Sequence, residues 1–344
     1  MSKQTNNNSV HFAQTHHTTP MDNKQPPKRI IRTRLLPSYG FSDYSVFLGS
    51  GKGGQGQGQF HNPYGVAFDS KHKSIVVTDH NNHRLQFFSQ QDGKFLFAYG
   101  SEGTKGVQFN CPKGVCIQPA TNNVIVTDSH RLHVFSVSSV SASSLEHLFS
   151  VGSAKEGGSG PSQFNNPTGI CCTARGDIIV ADSNNNRMQI FDCKGRHIRA
   201  FGSLGDGNNQ FQYPFDVCVQ EDANRMIITD CYNNRLSVWS VYGCEPILTV
   251  PSQGSPTGIC NYPHTHRIVV NCAGYGSNDI KVIDTKTKNE WNVIQRFGSE
   301  GERPGQFKWP SGVCVDDRGV LFVADFGNNR VQAYGCTERS YASL

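Results

Sequence analysis

The apolar residues of this chain fall in short runs rich in Val and Ile, separated by Gly, Asn, Asp and Pro. No stretch sustains the 3.6-residue period of a helix. Five runs, Ile75–Asp79, Val124–Asp128, Ile178–Asp182, Met226–Asp230 and Leu321–Asp325, end in Asp. About fifteen residues before each stands a Gln-Phe pair followed by a proline, as in Gln59-Phe60-His61-Asn62-Pro63-Tyr64-Gly65-Val66 and Gln306-Phe307-Lys308-Trp309-Pro310-Ser311-Gly312-Val313. A further copy, Ser255-Pro256-Thr257-Gly258-Ile259 followed by Ile268–Asn271, is degenerate but in register, which makes six units. The first unit reads as four short strands, Val66–Phe68, Ile75–Thr78, Leu85–Phe88 and Phe95–Tyr99, with Asn81-Asn82 and Gln91-Asp92-Gly93 as turns.

A lone four-stranded unit cannot bury both of its faces. Packing six such sheets radially does so, and closing the ring protects the sheet edges. The expected fold is therefore all-β, a six-bladed β-propeller of four-stranded antiparallel blades. The sixth unit supplies three strands and then ends in CTERSYASL, whereas Tyr44–Leu48, followed by Gly49-Ser50, has the pattern of a fourth strand. That N-terminal strand is expected to close the last blade. Residues 1–36 read as a disordered polar tail, 37–336 as the propeller and 337–344 as a C-terminal tail.

The repeat settles how the 344 residues divide, since the length alone would also suit two average domains. The polar start carries no apolar core of a signal peptide, and no run approaches the roughly 18 apolar residues of a membrane span. A cytoplasmic protein with no membrane partner is expected, and a monomer. Of the twelve cysteines, Cys116, Cys171, Cys218, Cys260 and Cys314 share one repeat position, where the first unit has Ala67. A site filled by Ala or Cys wants a small apolar group, so these read as reduced, packed thiols; a thiol ring holding a soft metal is the sharper alternative. The net charge of +5 does not single out nucleic acid.

With G-Q-F-x-x-P-x-G-V at the front, V-x-D in the middle and N-N-R before the third strand, the units resemble the NHL repeat family over about residues 41–336. The resemblance implies a six-bladed propeller. It also implies one of several settings: a substrate-recognition or RNA-binding domain of RING/TRIM-type ubiquitin ligases, a lone scaffold, or a zinc-dependent peptide-amidating lyase. There is no RING in this sequence. Unit two lacks the Asn-Asn turn, and unit five has Asn271 for Asp, Lys281 for Arg and no Gln-Phe, so irregular structure is expected in blade five.

Candidate chemistry is weighed against scaffold. Asp79/Arg84 recurs as Asp182/Arg187, Asp230/Arg235 and Asp325/Arg330, and a pair repeated in four blades is scaffold rather than catalyst. Gly49–Gly54 lacks the phosphate-loop pattern and no helix follows it. The loop entering the first strand and the loop between the second and third strands should open on one face. There the expected partner-binding residues are Tyr64, Lys113, Tyr213, Phe215, Tyr232, Trp309 and Phe326, aromatics being enriched in binding hot spots. Loops entering the first strands carry Lys52, Lys105, Lys113, Lys155, Arg303 and Lys308 against Glu102, Glu156, Asp206, Glu300 and Glu302, one net positive charge. Phosphate binding needs several uncompensated cations, so single-stranded RNA is the disfavoured alternative. His61, His80 and His130 are weak metal candidates, because blades three to six offer no histidine at these loops. A non-catalytic protein- or peptide-binding scaffold with no cofactor, linked to ubiquitin ligases by resemblance alone, is the expected function. A zinc-dependent lyase or hydrolase is the remaining alternative.

Overall fold

The structure is a computed structural model and describes residues 41–49, 53–105, 108–139, 144–274, 277–287 and 290–336. The tail at 1–36 and that at 337–344 lie outside the described residues. Six four-stranded antiparallel sheets follow one another along the chain. Blade one comprises Pro63–Asp69, Ser74–Asp79, Arg84–Ser89 and Phe95–Tyr99. Blade four comprises Pro214–Gln220, Arg225–Asp230, Arg235–Ser240 and Pro246–Pro251. The first strand of each blade neighbours the first strand of the next, and that of blade six returns to blade one. This is the six-bladed propeller that the repeat implies. In blade six the outer strand is Phe41–Phe47, antiparallel to Arg330–Cys336 with Phe47 opposite Gln332. Leu48, past its end, is buried and donates its N–H to Val331 O at 3.1 Å.

There is no single central core. Each hydrophobic cluster lies between two neighbouring blades, as Leu85 and Phe87 of blade one meet Val124 and Phe135 of blade two. The same holds around the ring, up to Val331 of blade six with Ile75 of blade one. Strand alternation explains this, because successive side chains point to opposite faces and so to opposite neighbours. The Phe of each Gln-Phe pair is the wedge: Phe60, Phe109, Phe164, Phe211 and Phe307 are at most 1% exposed. Its Gln partner closes the loop behind it, as Gln59 Oε1 accepts the Gly56 N–H at 3.0 Å.

The repeated Asp and Arg form a hub. In blade one the Asp79 carboxylate accepts the His61 N–H at 2.8 Å through Oδ1, and Arg84 Nε at 2.8 Å, Asn82 Nδ2 at 2.8 Å and Gln86 Nε2 at 2.9 Å through Oδ2. Arg84 then donates to the carbonyls of Gln55, Gly56 and Gln59, pinning the glycine-rich loop. Blade two keeps its hub despite a shorter turn, since Arg131 Nε reaches Asp128 Oδ2 at 3.1 Å.

Blade five is irregular only outside its strands, with no left-handed residue before its proline. Its four strands, Pro256–Tyr262, Arg267–Cys272, Asp279–Asp284 and Asn292–Phe297, are as complete as in the other blades. The buried Lys281 takes the place of the missing arginine, its ammonium donating to the carbonyls of Ser252 and Gln253. A shorter cation thus ties down the same loop without the carboxylate that Asn271 replaces.

At the axis the blades are stitched by hydroxyls. Thr78 donates to Lys113 O, Thr127 to Thr168 O, Thr168 to Phe215 O, Thr229 to Thr257 O, Thr257 to Pro310 O and Ser311 to Tyr64 O, each at 2.5–2.8 Å. Such an approach leaves no room for a side chain, and a Cβ on Gly114 would stand 2.2 Å from Thr168 O. Gly114→Ala should therefore push blades two and three apart and lower stability by about 1–3 kcal/mol. Urea denaturation checks this, and an unchanged midpoint would refute the close approach.

Candidate functional site

The turns after the second strands and the loops before the first strands meet at one mouth of the ring. Asn81 Nδ2 donates to Asn62 Oδ1 at 2.6 Å, and Asn62 Nδ2 to Phe326 O of blade six at 3.0 Å. In five of the six blades the residue before the proline, Asn62, Cys111, Asn166, Tyr213 or Trp309, is left-handed, with φ between 55 and 58°. Its N–H is commonly held by the turn of the preceding blade. Asn329 Oδ1 accepts from Asn62 at 2.8 Å, Asn186 Oδ1 from Tyr213 at 2.9 Å and Asn278 Oδ1 from Trp309 at 3.0 Å. Asn suits a left-handed backbone, whereas bulky residues there are outliers that concentrate at functional positions. Tyr213 and Trp309 are such outliers.

The aromatic residues read from the sequence are largely brought together. Tyr64 of blade one and Phe215 of blade four stack over the axis, with centroids 5.4 Å apart and planes at 9°. Phe326 meets Tyr64 edge-on at 5.9 Å, and Tyr213 stacks on Tyr232 at 5.0 Å and lies 6.4 Å from Phe215. The result is a continuous strip running from the rim of blade four across the axis to blades one and six. Tyr232 is 61% exposed and Trp309 50% exposed, and both open the mouth to solvent. Lys113, expected among the partner-binding residues, is buried at the mouth. It is 8% exposed, and its ammonium donates to Asn166 Oδ1 of the next blade. Asn166 in turn donates Nδ2 to the Tyr213 hydroxyl at 2.9 Å.

One weak metal candidate takes another part here, and one residue was not among the candidates. His80 joins the strip, 5.6 Å from Tyr64 and 6.1 Å from Phe326. Its Nδ1–H donates to Pro112 O at 3.1 Å, and burial, then Lys113, pushes its pKa down to about 4. It stands as a neutral ring. Asp216 takes the place of the axial glycine in blade four, a departure visible in Pro214-Phe215-Asp216-Val217. Its carboxylate accepts the Val217 N–H at 2.9 Å and the Ile259 N–H of blade five at 3.1 Å.

Beneath the strip lies a channel of about 300 Å³ lined by the first strands, with Asp216, Cys116, Cys171, Cys218, Cys260 and Cys314 on its wall. Burial pushes the thiols of Cys171, Cys218, Cys260 and Cys314 up, away from thiolate. Cys116 is raised first by its hydrogen bond with Cys172, their sulfurs 3.6 Å apart. Among the described residues no three His, Cys, Asp or Glu side chains are placed to hold a metal ion, whether in this channel or around His61, His80 and His130. Among the described residues no helix is long and apolar enough to cross a membrane.

The NHL repeat family matches residues 60–88, 164–191 and 307–334. Protein brain tumor of Drosophila melanogaster is 28% identical over 186 residues, covering 52% of this chain and 15% of that protein. E3 ubiquitin-protein ligase NHLRC1 of Rattus norvegicus is 30% identical over 107 residues, 31% of this chain and 27% of that protein. The chain thus matches only a minor part of the length of either. Among solved structures, Kuenenia stuttgartiensis hydrazine synthase superposes with a TM-score of 0.56 at 14% identity, over 82% of this chain and 78% of that one. That likeness is one of fold.

Proposed function

Taking the chain as the NHL-repeat propeller that its units and blades make it, we propose that it is a non-catalytic platform holding a protein or peptide ligand at the mouth crossed by the aromatic strip. Its similarity to an E3 ubiquitin-protein ligase favours substrate recognition linked to ubiquitin transfer. The observation that carries the reading is the strip itself: Tyr213, Tyr232, Phe215, Tyr64 and Phe326 form one surface, part of it in solvent. Rigid aromatics lose little entropy on binding and give large contact area. The repeated Asp/Arg hubs are occupied in holding loops, which fits scaffold rather than catalyst for these pairs. RNA on the same face is the second reading, since exposed rings also stack on bases.

The test replaces Tyr213 and Trp309 with Asn, the residue that blades one and three already carry at that left-handed position. Tyr213→Asn/Trp309→Asn should keep or raise the melting temperature while bound proteins are lost. Affinity capture with wild type and variant, with and without RNase, reads this directly. Partners retained by the variant contradict the site, and partners lost to RNase favour RNA.

A further inference from the structure

We propose that the ligand is an acidic peptide whose carboxylate pairs with Lys113 while its apolar side chains lie along the aromatic strip; this deepens, and rests on, the reading of the mouth as a protein-binding site. The buried Arg131, Lys281 and Arg330 and the half-buried Arg84, Arg187 and Arg235 face a carboxylate, while the buried Arg225 lies over the Trp291 ring and donates to Thr285 O. Arg84, Arg187, Arg235 and Arg330 lie 2.6–2.8 Å from their Asp partners, Arg131 lies 3.0 Å from Asp128, and Lys281 lies 3.9 Å from Asp279. Lys113 is as buried as these, yet among the described residues its ammonium meets only the neutral amide oxygen of Asn166. Asp128, which acts on it through space, is committed to Arg131. A buried charge without a counter-charge is unfavourable, and one charge-assisted bond to an arriving anion relieves that.

The position of the ammonium tells where the anion arrives. Lys113 is joined through Asn166 to the Tyr213 hydroxyl, so the cation and the strip are parts of one surface. His80 beside it is neutral and supplies no compensating charge. Burial pushes Lys113 down to about 8, which leaves it charged at neutral pH, and an anion at this point would raise it again. A peptide carboxylate fits better than a nucleic-acid backbone. There is one buried cation here, among neutral Asn side chains, and phosphate tracking draws on many.

The experiment selects random linear peptides on phage against the intact protein, then measures the enriched sequences by fluorescence anisotropy. Probes are each synthetic peptide, its version with Asp and Glu changed to Asn and Gln, and a short oligouridylate. Proteins are wild type, Lys113→Met, and Lys194→Ala as a control that removes an exposed charge at the opposite end of the blades. The proposal expects acidic peptides to be enriched. Their affinity should fall about tenfold or more in Lys113→Met and be unchanged in Lys194→Ala. The amide version should bind wild type about tenfold more weakly, a readout that holds even where Lys113→Met fails to fold. Enriched peptides without acidic residues, or equal binding of the amide version, overturn the anion proposal and leave the peptide-binding mouth standing. Binding of oligouridylate with no peptide enriched overturns both.

Discussion

Asp325→Ala should cost about 3–5 kcal/mol, the loss expected when one partner of a buried, hydrogen-bonded ion pair is removed. The fully buried Asp325 carboxylate serves four donors: the Lys308 N–H at 2.8 Å, Arg330 Nε at 2.6 Å, Asn328 Nδ2 at 2.9 Å and Gln332 Nε2 at 3.0 Å. Burial pushes this carboxyl up even though those donors hold it down, a sign of how dry the hub is. Without it, Arg330 keeps its bonds to the carbonyls of Glu302, Arg303 and Gln306 but loses its counter-charge. Chemical denaturation of the variant reads the loss. A shift within experimental error would mean that the hubs are decorative, and the scaffold account of the repeated Asp/Arg pair would fail.

Asp216→Asn should gain stability relative to the wild type as pH rises, although its amide can accept only one of the two N–H groups that the carboxylate serves. Burial pushes the Asp216 carboxyl up to about 7, against the two backbone N–H groups that lower it. An unfolded Asp ionises near 3.9. The fold therefore prefers the protonated form, and stability contributed by this group is full below about pH 4 and is lost as pH rises toward 7. The asparagine variant escapes that loss. The stability difference between variant and wild type should shift in the variant's favour by at most roughly 4 kcal/mol from pH 4 to pH 8 by linkage. Thermal melts of both proteins at the two pH values decide it. An equal difference at both would show that Asp216 does not titrate with folding.

Much of the fold was legible because the repeat puts the same physical demand on the same position six times. A β-branched run ending in Asp, with Gln-Phe before it, has few other uses. Cysteine where the first unit has Ala67 announced a small site at the crowded axis. What stayed hidden depends on ring closure. Tyr64 and Phe215 stack because blades one and four face each other across the axis, a relation no local pattern contains. The burial of Lys113 is not legible locally because its partner, Asn166, belongs to the next unit. Asn271 for Asp, Lys281 for Arg and the missing Gln-Phe point to irregularity in blade five, yet its strands stay regular because the flexible Lys281 stem brings an ammonium to the same loop. Asp216 was in plain view as a glycine replaced, and its meaning came only with the channel it lines.

The central claim is that ligands seat on the aromatic mouth, and hydrogen exchange with and without a selected peptide tests it most directly. Binding should slow exchange in the turns at 80–83, 212–215, 231–234 and 326–329. Turns at the opposite end of the blades, at 70–73, 174–176, 221–224 and 316–319, should exchange as before. Protection of that opposite set, with the mouth unchanged, would contradict the account.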